Sequence, residues 1–481
     1  MTAHYIRVVA PSDRPPAQRR IYGNRTLNMR SIRAIGYDMD YTLIHYRVDE
    51  WETQAFEHAR VRLAGLGWPV YELDFDPGSV IRGLTIDLEL GNLVKPTRFG
   101  YVIRASHGGA FLEFDRLRRD YAATFVDLAD PRWVFLNTLF SLSEASLFAQ
   151  LVDLFDAGRL PDVRGYADLY HTVRSTLDNA HMEGRLKEEI LAAPDRFVVP
   201  DPNTVLTLLD QKFAGKRLVL ITNSEWAYTN RMMSYAFDPQ LPKGQGWREL
   251  FDAVIVSSAK PAFFTATRPL YRVVDETRGL MEPHIGNLET GSVFVGGCAP
   301  QLEAHLGLSG DEILYVGDHL YSDVSVSKAL LRWRTALILR ELETEIAAAE
   351  AFAATEERLV ELMDRKTRLE EQLAHARLDR QRARHGYAPP EGDVAEAEAI
   401  VESVRTELEN LDEEIAPLAA AAGSLRNPAW GPLMRSGNDK SLFARQVERY
   451  ADVYTSRVSN FLAATPFAYL RADRGSLPHD R

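Results

Sequence analysis

The sequence predicts an α/β fold: a doubly wound parallel sheet, a large α+β cap inserted after its first strand, and a helical coiled-coil hairpin. Three observations predict it. Between residues 201 and 339 short apolar runs alternate with helical segments, as parallel βαβ units require. The acidic turn after the first apolar run is separated from the next polar strand end, Asp40 to Thr222, by 182 residues, far more than one crossover helix needs. Residues 343–420 then turn rich in Ala, Glu, Leu and Arg with heptad spacing.

Residues 1–44 are read as a leader and the first core strand, AIGYD, which runs into a polar turn at Asp38 to Thr42. Residues 45–200 form the cap. Its early part, YELDFDPGSVIRGLTIDLELGNL, has the Gly, Asp and aromatic content of strands and turns, and WVFLNTLFSLSEASLFAQLVDLFD has helical spacing. Residues 201–340 form the core, with a helix near Thr204 to Phe213 and strands RLVLIT, DAVIVS, EILYVG and RTALIL. In residues 341–422, Leu359, Leu362, Lys366, Leu369, Leu373 and Ala376 make one stripe, and Val401, Val404, Leu408, Leu411, Ile415 and Leu418 the other. The break HGYAPPEGD should reverse the chain between them. Residues 423–481 return to the core with an amphipathic helix expected in SLFARQVERYADVYTSRVSNFL.

Composition narrows the function. With 56 Lys+Arg against 68 Asp+Glu the net charge is −12, which disfavours a nucleic acid polymer as partner. Cys298 is the only cysteine, so an intramolecular disulfide and a cysteine zinc site are excluded and a reducing, cytoplasmic location is expected. The N-terminus has no apolar signal region, and no apolar run approaches about 18 residues, so a membrane is not expected as partner.

Strand ends of an open α/β sheet share one crevice. The turns after the strands supply Asp38, Asp40 and Thr42; Thr222, Asn223 and Ser224; Lys260; and Asp318 and Asp323. Several carboxylates converging there would repel one another unless a cation sat among them, and Mg²⁺ suits hard oxygen ligands; Asp38, Asp40, Asp318 and Asp323 are the expected ligands. The same set fits phosphoryl transfer. Asp38 would attack phosphorus as an ionised carboxylate, giving an aspartyl phosphate. Asp40 would protonate the leaving alcohol and later deprotonate water. Thr222, Asn223 and Ser224 would hold phosphate oxygens, and Lys260 would neutralise charge. Any one of these turns alone is commonly just a solvated loop. Four in order, each after its own strand, carry the reading.

DMDYTL, ITNS, Lys260 and GDHLYSD resemble, in order, the four motifs of the haloacid dehalogenase superfamily. NRTLNMRSIRAIGYDMDYTLIHY, RGLTIDLELGNL, FLNTLFSL, ITNSEWAYT, KPAFF, ILYVGDHLYSDV, RWRT and LMRSGNDKSLFARQVERYADVY extend the resemblance to the cytosolic purine 5′-nucleotidase family over most of the chain. That resemblance implies Mg²⁺-dependent hydrolysis of nucleoside 5′-monophosphates of the IMP/GMP type, phosphate transfer to a nucleoside acceptor, and a homo-oligomer, dimer or tetramer. It also implies base contacts at Phe140, Arg174, Asp178 and His181, with Met182 and Ser141 departing from the family's usual Tyr and Asn. Of its nucleotide-effector site, Asn137, Tyr321, Gln446, Arg449 and Tyr450 match, while Asp127 and Ala329 replace basic side chains, so weakened or absent nucleotide activation is expected. The residues leave two alternatives open: the same chemistry on a sugar phosphate, or an inactive nucleotide-binding scaffold.

Overall fold

In the computed structural model, residues 14–182, 184–387, 394–473 and 475 are described, without the side chains of 180–182 and 394. The run AIGYD gives strand β2 (Ala34–Tyr37), all of it buried, after a short β1 (Tyr22–Gly23). The other polar-ended runs give β3 (Arg217–Ile221), β4 (Ala253–Val256), β8 (Ile313–Gly317) and β9 (Arg334–Ile338). Five strands were not read from the sequence: β1, β5 (Leu270–Asp275), β6 (Leu280–Pro283), β7 (Val293–Gly296) and β10 (Val453–Thr455). The order is β1-β10-β9-β8-β2-β3-β4-β7-β5-β6. From β10 to β7 neighbouring strands are parallel, whereas β1, β5 and β6 join antiparallel at the two edges. The sheet is therefore mixed at its margins and parallel through its centre, where both faces are covered.

Gly36 of β2 lies opposite Tyr315 of β8, and a Cβ there would come within 2.7 Å of the Tyr315 ring. Phe264 meets Tyr315 and Trp333 edge-on in the core beside β8, and the latter two rings are tilted by 47° to each other, all three all but excluded from solvent. Burying side chains of this size stabilises the fold by about 1.5–3 kcal/mol each.

The residues inserted between β2 and β3 belong to the same compact unit as the sheet. They hold a five-stranded antiparallel sheet ordered Ala110–Phe111, Val102–His107, Asn92–Pro96, Thr85–Asp87 and Trp133–Phe135. They also hold helices α1 (Val48–Gly65), α2 (Leu142–Asp156), α3 (Tyr166–Met182) and α4 (Arg185–Ala192). The helical reading from Trp133 onward is corrected here. Trp133–Phe135 pairs with Thr85–Asp87 as an edge strand, and α2 starts only at Leu142. A second correction falls near the C-terminus. The expected amphipathic helix stops at Tyr450, because the residues after it complete the sheet as β10 beside β9.

The other compact unit is Thr344–Pro432. It contains most of α5 (Leu342–His385) and all of α6 (Val394–Gly423). Leu362, Leu369, Leu373 and Ala376 of the first stripe bury against Val401, Val404, Leu411 and Ile415 of the second. Arg358 pairs with Glu414 and Arg365 with Glu407. The partner numbers fall as the α5 numbers rise, so the two helices run antiparallel. Lys366 leaves its stripe to pair with Asp412. Most of the expected reversal, residues 388–393, lies outside the described residues. Among the described residues no helix is long and apolar enough to cross a membrane.

Candidate active site

The turns after β2, β3, β4 and β8 come together at the carboxyl edge of the sheet. Asp38 follows β2 directly, its N–H bonded to Val316 O at 2.9 Å, so the strand pairing fixes where its side chain starts. The turn that follows closes on Met39 O and holds Tyr41 at a φ of 53°. Ser257 and Ala259, which lead to Lys260, also have positive φ, at 46° and 56°. Non-glycine residues in this left-handed region cost energy and gather where a site dictates the backbone.

Lys260 Nζ lies 2.8 Å from both Asp38 Oδ1 and Asp323 Oδ1 and donates to the Tyr315 hydroxyl at 3.0 Å. Tyr315 in turn donates to Ile221 O at 3.2 Å. Asp323 reaches this point because residue 317 is glycine: a Cβ there would stand 2.5 Å from Asp323 Oδ2. That oxygen accepts the His319 N–H at 3.1 Å. Carboxylate oxygens of Asp38, Asp318 and Asp323 lie within 4.8 Å of one another, all on buried residues.

Three carboxylates with one ammonium leave excess negative charge in a buried place. Burial pushes Asp38 up to about 6, with Lys260 pulling it back and Asp323 pushing it further. Burial, then Asp323 and Asp38, hold Asp318 well above the ordinary carboxylate range. Burial works against the charge on Lys260, but Asp323 and Asp38 outweigh it and keep the amine protonated. Asp318 Oδ2 is buried without a hydrogen-bond partner among the described residues. A small divalent cation fits this donor set, since it would satisfy that oxygen and offset the surplus charge.

The carboxylate of Asp40 does not join the other three. It accepts from Tyr46 Oη at 2.6 Å and Ser224 Oγ at 2.7 Å, and Tyr46 also meets Tyr228 Oη at 3.0 Å. Asp40 lies in the turn that closes on Met39 O, and its bonds to Tyr46 and Ser224 carry its carboxylate away from Asp38. Burial raises Asp40 above its ordinary pKa, with Lys187 opposing. Thr222 Oγ1 accepts the Ser224 N–H at 3.1 Å, so its hydroxyl proton remains available to a ligand. Asn223 lines the cavity but also works as a brace: Oδ1 accepts from Lys260 N at 2.6 Å and Ser258 Oγ at 2.9 Å, and Nδ2 donates to Lys260 O at 3.1 Å.

A cavity of about 450 Å³ opens from Asp40, Asn223, Ser224 and His319 toward Phe140, Arg174 and Asp178. Its size suits a small organic ligand. Phe140 is held edge-on by Tyr41 and Trp51, with ring centroids 4.7 and 5.4 Å away. Arg174 on α3 donates from Nη1 to Glu144 Oε2 at 2.8 Å and from Nε to Asp178 Oδ2 at 3.2 Å. Burial opposes its charge, and Glu144 and Asp178 more than compensate. Ser141 lines the same wall. The side chains of His181 and Met182 lie outside the described residues.

The 5′ nucleotidase family model matches residues 21–481. The chain belongs to the 5′ nucleotidase family. Human 5′-nucleotidase domain-containing protein 2 is 28% identical over 457 residues, 92% of this chain and 81% of the relative. The Rattus norvegicus protein of the same name is also 28% identical, over 92% of this chain and 76% of its own length. Among solved structures, an archaeal beta-phosphoglucomutase from Pyrococcus sp. strain ST 04 is similar at a TM-score of 0.31 and 13% identity, covering 64% of this chain and 87% of that one. Family membership makes the protein a hydrolase of nucleotide phosphomonoesters.

Sequence reasoning missed several residues of this candidate site. Lys187 on α4 lies 3.4 Å from Ser224 Oγ and 2.7 Å from Glu225, and lines the cavity. His319 accepts the Ser322 N–H on Nδ1 at 3.1 Å, which leaves its proton on Nε2. Burial lowers its pKa to about 3, helped by Lys260 and Arg82, so the ring is neutral. Tyr46, four residues beyond Thr42, and Glu144, in the first turn of α2, gave no signal of their own. Only their nearness in sequence to Asp40 and Phe140 could have pointed to them.

Proposed function

We propose that the protein hydrolyses purine nucleoside 5′-monophosphates of the 6-oxo type, with Mg²⁺, through an aspartyl phosphate on Asp38. The observation that carries this reading is Lys260 set 2.8 Å from both Asp38 and Asp323, beside a buried Asp318 oxygen with no hydrogen-bond partner among the described residues. Lys260 and the Met39 N–H occupy Asp38 Oδ1 and leave Oδ2 for phosphorus. The Asp38 Oδ2–P bond forms as the P–O5′ bond breaks. Asp40, steadied by Tyr46 and Ser224, gives its proton to the departing 5′ oxygen. In the second half Asp40 takes a proton from water, whose oxygen attacks phosphorus and releases phosphate and Asp38. The Thr222 hydroxyl donates to a non-bridging oxygen, and Lys260 offsets charge in both halves.

Asp38, Asp318 and Asp323 would hold the Mg²⁺, which when bound draws charge from the phosphate oxygens. At the other end, the Phe140 ring suits a purine face, Arg174 a base carbonyl, and Asp178 a ring N–H, an order of donor and acceptor that a 6-oxopurine matches. Transfer of phosphate to a nucleoside, assembly into a homo-oligomer, a cytoplasmic location and residues 45–200 acting as a cap belong to the same reading. The test is D38N: phosphate release and phosphoenzyme trapping should both vanish while the thermal transition persists. A D38N protein that still releases phosphate from IMP overturns the mechanism.

A further inference from the structure

The cavity wall contains a buried carboxylate that none of the chemistry above uses. Glu144 is 2% exposed, in the first turn of α2. Both of its oxygens are engaged: Oε1 accepts from Tyr170 Oη, and Oε2 accepts from Arg174 Nη1 at 2.8 Å. Tyr170 and Arg174 both stand on α3, four residues apart and so on one face of that helix. Glu144 thus ties α2 to α3 at the point from which Arg174 enters the cavity.

A free arginine side chain samples many rotamers and loses that freedom when it binds. Arg174 is half exposed on a cavity wall and would otherwise behave so. Its fork is instead held at two of its three nitrogens, Nη1 by Glu144 and Nε by Asp178 one turn along α3. Nη2 has no partner among the described residues, and it is the donor left over for a ligand. The two anchors differ. Asp178 is itself 53% exposed, a surface partner that solvent screens, whereas Glu144 is sealed. A sealed carboxylate facing a guanidinium fixes geometry much more firmly than a solvated one.

We infer that Glu144 is a specificity-determining positioning residue: with Tyr170 it locks Arg174 so that the Nη2 edge addresses the base of the substrate. This rests on the nucleotide reading above and deepens it. Arg174 then contributes a preset donor, and base recognition depends on a residue that never touches the base.

The test compares IMP with ribose 5-phosphate, which keeps the sugar phosphate and lacks the base. Glu144→Gln preserves volume and an acceptor but removes the charge that holds Arg174. The preference for IMP over ribose 5-phosphate, as a ratio of kcat/KM, should fall about tenfold, expressed in the KM for IMP rather than in kcat. Tyr170→Phe, which leaves the ion pair in place, should shift the ratio the same way by a smaller factor, and it serves where Glu144→Gln does not fold. If each variant lowers both substrates equally, Glu144 only supports the fold and the inference is overturned. A preference for IMP that survives unchanged in both variants sinks the inference alone. Wild-type enzyme that turns over both substrates equally would sink the nucleotide reading and this inference with it.

Discussion

At the inner end of the cavity the charged groups are sealed, with Asp318 and Asp323 2% and 0% exposed; at the outer end the side chains of Arg174 and Asp178 are 50% and 53% exposed. The inner groups sit on turns directly after parallel strands, and their spacing is set by backbone pairing across the sheet. The outer groups sit on helices, one turn apart, and need partners such as Glu144 to hold them still. The contrast separates two tasks. In the proposed mechanism, chemistry on a phosphate is the same whatever it is attached to, so a rigid inner end suffices, while choice of leaving group falls to side chains whose replacement would leave the strands undisturbed.

The largest test of this separation is Lys260→Met. It leaves Asp38 and Asp323 without the cation they share, and kcat/KM should fall by roughly 10²–10³. IMP and ribose 5-phosphate should lose equally, because the ammonium serves the phosphate alone. Phosphate release from both, measured on protein whose folding is verified by its thermal transition, checks this. A loss confined to IMP would break the division between the ends. Phe140→Leu should do the reverse. It removes a ring face and retains most of the packing against Tyr41 and Trp51, so KM for IMP should rise about tenfold with ribose 5-phosphate little affected. Equal loss on both substrates would place Phe140 in the support of Asp40 rather than at the base.

The same contrast explains what could be read from the sequence. AIGYD, RLVLIT, DAVIVS and EILYVG each end in a polar turn, and residues at strand ends of a parallel sheet converge wherever the intervening chain goes. Asp38, Lys260, Asp318 and Asp323 were therefore legible although the first is more than 200 residues from the second. Asp40 was legible as a neighbour of Asp38, but the direction of its carboxylate was not, since Tyr46 and Ser224 turn it away from the other three. Lys187 and Glu144 were hidden. A Lys or Glu on a helix is ordinary in sequence, and only the packing of α2, α3 and α4 gives either one a place on the cavity wall. Strand β10 was hidden for a related reason: its three residues follow a strongly amphipathic helix, and pairing with β9 decides their conformation.

Glu52 sharpens the comparison at smaller scale. Asp38 is buried beside Lys260, but Glu52 on α1 is fully buried with no cation against it among the described residues. Its Oε2 accepts the Ser143 N–H at 2.8 Å near the start of α2. Burial pushes its carboxyl up to about 8, with the Ser143 hydrogen bonds opposing and Glu144 adding to it. The folded state thus keeps a proton that the unfolded chain releases near its ordinary value of 4.5. The resulting stabilisation is complete below about pH 4.5 and is lost as pH rises through about 8. Glu52→Gln keeps the acceptor for Ser143 without ever ionising. Relative to wild type it should gain roughly 2–4 kcal/mol between pH 5 and pH 9, seen as a thermal transition about 2–5 °C higher at the alkaline end. A difference between the two proteins that stays constant across that range would mean Glu52 is ionised in the fold, and that a buried carboxylate here is tolerated without the cation on which the inner end relies.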